Sequence, residues 1–275
     1  MSTLYLVATP IGNLEDISPR ALRTLREVKL IAAEDTRHTR HLLTHFDIHT
    51  PLTSYYEHNK LSKLENALAA LADGDMALVS DAGTPAINDP GYELVKAALA
   101  AGHTVSPIPG PSAPIAALAA SGLPTDAFLY LGYLPRKSAE RRELLDRISN
   151  LPYTLIFLET PHRLLDALDD LLFALGDRQM VAARELTKLH EQIARGTVSQ
   201  IKADFTENEP RGEFTLVIHG QPLKASEKWS QQDLLASIPA AIKSARPARE
   251  IAAELAQQSG WSKRDVYSFI NKQRL

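Results

Sequence analysis

The sequence predicts an α/β fold of two α/β domains, 1–111 and 112–222, with a helical, helix-turn-helix-like tail over 232–275. Three observations predict it. Short apolar runs of strand length alternate with stretches whose apolar residues recur every three or four positions. A break at Pro107-Ile108-Pro109-Gly110-Pro111-Ser112-Ala113-Pro114 carries too many prolines for helix or central strand and marks the domain boundary. From Gln232 onward the periodicity is helical only.

In chain order, Leu4-Tyr5-Leu6-Val7-Ala8 reads as the first strand and runs into the turn-rich Thr9-Pro10-Ile11-Gly12-Asn13-Leu14. Ser18-Pro19 is an N-cap followed by proline at the first helical position. Ala21, Leu22, Leu25 and Val28 form that helix's apolar face. Leu30-Ile31-Ala32-Ala33 is the second strand and ends in Glu34-Asp35-Thr36-Arg37. Thr53 to Lys60 reads as a polar, aromatic loop, and Ser62 to Ala72 as a helix. Met76-Ala77-Leu78-Val79 is a buried parallel strand that feeds Ser80 to Gly91, S-D-A-G-T-P-A-I-N-D-P-G, before a helix over Tyr92 to Ala101. Gly83 lets backbone approach a ligand, and Asp81 supplies a carboxylate. Turn formers at these positions also suit an ordinary strand-to-helix loop. Because parallel strands share one carboxyl edge, the three polar loops can converge there.

Past the break, Ser112 is a candidate N-cap for an Ala-rich helix over Ile115 to Ser121. Strands are expected at Phe128 to Leu131, Thr154 to Leu158, Met180 to Ala183 and Phe214 to Ile218. Helices lie between them at Ala139 to Ile148 and Leu164 to Leu175, and Ser199 to Gly212 reads as helix and loop. Residues 221–231 are a polar linker. The tail gives helices over Arg249 to Gln257 and Lys263 to Asn271, separated by Ser259-Gly260-Trp261-Ser262. Helix, short glycine-containing turn, helix is a nucleic-acid-binding pattern and equally a small helical cap.

Of the 275 residues, 44% are apolar and 23% charged, ordinary for a globular chain with a sizeable core. Cysteine is absent, which excludes disulfides and thiolate chemistry and suits the cytosol. No secretory signal and no apolar run of membrane-spanning length are visible. The net charge of −3 is uneven: residues 240–275 hold seven Lys/Arg against three Asp/Glu, leaving an acidic body and a basic tail. His38, His41, His45 and His49 have helical spacing, but H-E-x-x-H is missing and Arg37 and Arg40 repel a cation, so a solvated face is expected and no metal site. Neither G-x-G-x-x-G, a P-loop nor G-x-S-x-G occurs.

Seven ordered motifs span nearly the whole chain: V-A-T-P-I-G-N-L (7–14), A-E-D-T-R (33–37), S-D-A-G-T-P-A-I-N-D-P-G (80–91), P-I-P-G-P-S-A (107–113), L-G-Y-L-P-R-K (131–137), E-T-P-H-R-L (159–164) and R-E-L-T-K-L-H-E (184–191). Together they resemble the class III, tetrapyrrole-methylase-like family of S-adenosylmethionine-dependent methyltransferases. Phe157-Leu158-Glu159-Thr160 departs from the family pattern. The resemblance implies a homodimer of chains with S-adenosylmethionine held in the cleft between two α/β domains. It places Pro10, Ile11, Gly12, Thr84, Ile87, Ser112 and Ala113 against that cofactor, with Glu159, Glu213 and Phe214 as further contacts. Within the family it points to cytidine 2′-O-ribose methylation in small-subunit ribosomal RNA, in the cytoplasm, on free RNA or the assembled subunit. A tetrapyrrole carbon as acceptor, or a non-enzymatic nucleic-acid-binding regulator, are the alternatives, and the basic tail argues against the first.

Methyl transfer to a hydroxyl needs positioning and a base within hydrogen-bond reach. Asp16, Glu34, Asp35, His58 and Asp81 are candidates. Glu34 and Asp35 come first, with Arg37 beside them to hold a phosphate; a helix N-cap is the structural alternative for Asp35. RNA contacts are expected from Arg136, Lys137, Arg141, Arg142, Arg246, Arg249, Lys263, Arg264, Lys272 and Arg274, with Tyr55 or Tyr56 stacking on a splayed base.

Overall fold

The computed structural model describes residues 2–56, 60–222, 229–242 and 246–273. His58, Arg274 and residues 223–228 of the linker lie outside the described residues. The chain divides into two compact units, Met1–Gly220 and Gln221–Leu275.

The first unit contains two five-stranded sheets. Strands β1 (Thr3–Val7), β2 (Leu30–Ala33), β3 (Leu52–Ser54), β4 (Met76–Val79) and β5 (Thr104–Ile108) form one of them, in the order β3-β2-β4-β1-β5. All its pairings are parallel. Helices cover both faces, which is why β4 is apolar at every position and wholly buried. Helices α1 (Pro19–Glu27) and α2 (Thr36–His45) bury Ala21, Leu25, Leu42 and Leu43 on one face. Helices α3 (Lys60–Asp73) and α4 (Tyr92–Ala100) bury Ala67, Leu71, Leu94 and Ala98 on the other. The Ser18 hydroxyl caps α1, accepting from the Ala21 N–H at 3.0 Å.

Two local expectations change. Leu52–Ser54 is an edge strand rather than loop, too short to show alternation, and it carries Tyr55 into the core at 1% exposure. Tyr55 is therefore unavailable for base stacking; Tyr56 remains exposed. Strand β5 extends through Pro107, which the edge position permits because an edge strand leaves one side of its backbone unpaired.

The second sheet comprises β6 (Phe128–Tyr133), β7 (Thr154–Glu159), β8 (Gln179–Arg184), β9 (Gln192–Thr197) and β10 (Phe214–Ile218), ordered β6-β7-β10-β8-β9. Only the β6–β7 pairing is parallel; β10 runs antiparallel to both β7 and β8, and β9 antiparallel to β8. The edge strand β9 is half-buried and polar, and so hides from hydrophobic patterning. Helix α5 (Ala113–Ser121) covers one face. Helices α6 (Ser138–Ile148), α7 (Leu164–Leu175) and α8 (Val198–Glu207) cover the other.

Between α6 and α7, Arg141 is 3% exposed and its Nε donates to Asp170 Oδ2 at 2.6 Å. Ser138 Oγ and Arg142 Nε donate to Oδ1 of the same carboxylate. Arg141 is thus a packing cation and not an RNA contact. Arg142 is half-committed, with its guanidinium also 4.6 Å from the Phe173 ring centre.

The second unit has its own core of Leu234, Ile238, Ile251, Ala252, Leu255, Val266 and Ile270. Helices α9 (Gln231–Ile242), α10 (Ala248–Ser259) and α11 (Lys263–Gln273) supply it. Gly260 adopts φ 68° to end α10, and the Ser262 hydroxyl caps α11 by accepting from Asp265 N–H at 3.1 Å. The α10-turn-α11 pair is the expected helix, short turn, helix.

Candidate active site

The loops after β1, β4 and β5 are tied to one another. Thr9 and Gly83 exchange both backbone hydrogen bonds, at 2.9 and 3.0 Å. Thr9 Oγ1 donates to the Ser80 carbonyl at 3.2 Å, and Thr84 Oγ1 to the Pro111 carbonyl at 3.3 Å. The loop after β2 joins them: Asp81 N–H donates to Glu34 Oε2 at 3.3 Å, and Asp35 N–H to Asp81 Oδ1 at 3.0 Å. These loops line one side of a cavity of about 260 Å³, and the ends of the second sheet's strands line the other.

Ile11, Thr84 and Ser112 all face this cavity, as do Glu34, Asp81, Gly83, Ile87, Ala113, Glu213 and Phe214. Pro10 faces a smaller neighbouring cavity, and Gly12 packs outside both. Glu159 is 1% exposed and lies behind the wall, where Arg163 holds it at 3.1 Å; its neighbour Leu158 reaches the cavity instead. Asp35 caps α2 by accepting from Arg37 N–H, and Arg37 turns back on it in an ion pair of 2.7 Å. Asp16 ends a short 3-10 turn, Leu14–Asp16, away from the cavity lining. Arg136, Lys137, Arg249, Lys263, Arg264 and Lys272 are all exposed; Lys137 pairs with Glu140 and Arg246 with Glu254.

The cavity is electrostatically suited to a cation. Glu34, Asp81 and Asp89 converge from two loops, and Glu185 and Glu213 stand opposite them. Burial pushes the Glu34 carboxyl above its ordinary value, opposed by the Asp81 N–H, and burial likewise raises Asp89. Tyr130 is pushed up to about 12, by burial first and then by Asp89, so its hydroxyl stays a donor. By contrast the Arg37 side chain holds Asp35 well below the carboxylate range, which makes Asp35 a weak base.

Residue-level reading missed Tyr130, Tyr133, Glu185 and Lys188, all of which line the cavity. Lys188 pairs with Glu185 at 2.9 Å and approaches Glu213 at 3.8 Å. For Tyr133, Glu185 and Lys188 the signal lay in the L-G-Y-L-P-R-K and R-E-L-T-K-L-H-E motifs, and Tyr130 lies one residue before the first of them. The turn that presents Glu185 and Lys188 is held by non-glycine residues at positive φ, Glu185 at 49° and Thr187 at 67°, so no glycine marked it. Gly12 fits against this turn closely enough that a Cβ would lie 2.4 Å from Lys188 Cγ.

Gly83 adopts φ 78°, and a Cβ there would point 3.5 Å from Ile11 Cγ2. Gly83→Val is expected to cost about 1–2 kcal/mol from left-handed backbone strain, read by chemical unfolding of the purified variant.

A model of the Tetrapyrrole (Corrin/Porphyrin) Methylases matches residues 3–202. The chain belongs to this family. Among tetrapyrrole methylase relatives, a protein named Ribosomal RNA small subunit methyltransferase I from Halalkalibacterium halodurans is 46% identical, covering 98% of this chain and 95% of its own. One of the same name from Escherichia coli O157:H7 is 48% identical over 98% and 95%. Solved structures share the tetrapyrrole methylase architecture at low identity. Diphthine synthase aligns at TM-score 0.59 and 16% identity, covering 81% of this chain and 91% of that one. The methyltransferase CobJ aligns at 0.58 and 19%, covering 84% and 98%.

Proposed function

We propose that this chain transfers a methyl group from S-adenosylmethionine to the ribose 2′-hydroxyl of a cytidine in small-subunit ribosomal RNA. The observation that carries this reading is near full-length identity, tail included, to relatives named for small-subunit ribosomal RNA methylation. The cavity residues fit the donor. Backbone carbonyls and the carboxylates of Glu34, Asp81 and Asp89 suit a sulfonium, and Gly83 leaves room for a nucleoside against its backbone.

When bound, S-adenosylmethionine supplies a methyl group on an already activated sulfur. Residues of this cavity would hold the acceptor ribose oxygen in line with that methyl group, and a base on this chain would take the hydroxyl proton. Glu34 is that base: it reaches the cavity and burial has raised its proton affinity. Ile11, Thr84, Ile87, Ser112 and Ala113 would hold the donor, and the Tyr130 hydroxyl lines the same space as a hydrogen-bond donor. Positioning of this kind is worth up to roughly 7–11 kcal/mol.

Exposed Arg136, Lys137, Arg249, Lys263 and Arg264 supply phosphate contacts. The enzyme works in the cytoplasm as a homodimer; exposed Tyr92 and Ile115 are apolar surface that a second copy would cover. No described helix is long and apolar enough to cross a membrane. Mass mapping of small-subunit RNA from cells lacking this chain should show loss of one ribose-methylated cytidine, restored by the intact gene. An unchanged methylation map contradicts the proposal.

A further inference from the structure

A second cavity of about 140 Å³ opens beside the first, and Asp81 lines both. The Thr9–Gly83 bridge lies at the boundary, since Thr9 lines the smaller cavity and Gly83 the larger. Pro10, Leu14 and Leu42 give the smaller cavity apolar walls, and His38 and His41 of α2 stand exposed at it. Helix α2 contains no acidic residue. Its Arg37 is 88% exposed despite its pairing with Asp35, and Arg40 is exposed and makes no ion pair among the described residues.

We infer that this cavity takes the unstacked nucleobase of the acceptor nucleotide, with His38 and His41 stacking on it and Arg37 and Arg40 holding the adjoining phosphates. The inference rests on the RNA-methylation reading and adds where the acceptor sits. An extruded base needs flat or apolar walls to replace its lost stacking, and flanking cations to neutralise its backbone. The smaller cavity offers both. The geometry then follows from the shared residue. A nucleotide with its base in the smaller cavity, beside a donor in the larger one, has its ribose at Asp81. Glu34 is there too, hydrogen-bonded to the Asp81 N–H.

The test is methylation kinetics on small ribosomal subunits from cells lacking the chain, with the wild type, His38→Ala/His41→Ala and His38→Tyr/His41→Tyr run side by side. Binding of S-adenosylhomocysteine to each is followed by calorimetry. Base–aromatic stacking is worth about 1–3 kcal/mol, so the alanine variant should raise KM for the subunit at least about fivefold. Its nucleoside affinity should stay at the wild-type value. The tyrosine variant, which keeps a flat ring, should recover most of the loss. An unchanged KM in the alanine variant, or a tyrosine variant as impaired as the alanine one, overturns the inference while the wild type still methylates. A wild type that binds the nucleoside and methylates no subunit overturns the RNA reading and this inference with it.

Discussion

Glu34→Gln lowers kcat for ribose methylation by about 10²–10⁴-fold, the usual contribution of a positioned general base. Glutamine keeps the size of the side chain and an oxygen to accept from Asp81 N–H, so the loop contact survives. What disappears is the proton acceptor. The pH profile separates this from a loss of shape. Burial raises the Glu34 pKa above 4.5, and the active form is the carboxylate. Activity therefore falls as pH drops through that raised value, and the glutamine variant loses this acid limb. Stability moves the other way. A carboxyl whose folded pKa is raised favours the native state below its unfolded pKa, and that advantage is lost as pH rises through the folded value. At neutral pH the wild type carries the cost of a buried carboxylate, which Glu34→Gln removes. A variant both slower and more resistant to denaturant is the expected pair of results.

Asp170→Ala destabilises the protein by about 3–5 kcal/mol, because it strands the Arg141 guanidinium in the α6–α7 contact. Burial alone would raise the Asp170 pKa, but hydrogen bonds from Arg142, Ser138 and Arg141 outweigh it and hold the carboxyl below 3.8. A lowered carboxyl contributes stability that is present above the unfolded value and lost as pH falls through the folded one. Chemical unfolding should therefore show the gap between wild type and Asp170→Ala narrowing below about pH 4. Replacing both partners by apolar residues, as in Arg141→Met/Asp170→Leu, should recover much of the loss, since no charge is then left buried. If Asp170→Ala unfolds at the wild-type denaturant concentration, the pair is not holding the helices.

Much of the first sheet was legible because parallel strands buried on both faces write themselves as apolar runs. Leu30–Ala33 and Met76–Val79 are such runs, each ended by its polar loop. Edge strands were not legible: Leu52–Ser54 is three residues long and Gln192–Thr197 is half-polar. Convergence of the loops at Ile11, Thr84 and Ser112 followed from the shared carboxyl edge, a property of topology that a one-dimensional pattern carries well. The opposite wall did not. Tyr130, Glu185 and Lys188 come from a mixed sheet whose pairing order has no local signature, and the strained turn at Glu185–Thr187 lacks a glycine. The sequence also could not separate Glu34 from Asp35. Adjacent carboxylates look alike in a string, but one enters the cavity and the other caps a helix.

The claim on which these roles rest is that the three loops form one nucleoside pocket around Gly83. Calorimetric titration of the wild type and Gly83→Val with S-adenosylhomocysteine tests it most directly. The wild type should take up one molecule per chain. Gly83 lines the pocket beside Ile11, so a valine side chain there takes up nucleoside space and Gly83→Val should bind more weakly than the wild type. No uptake by the wild type, or equal affinity in the two proteins, would contradict it.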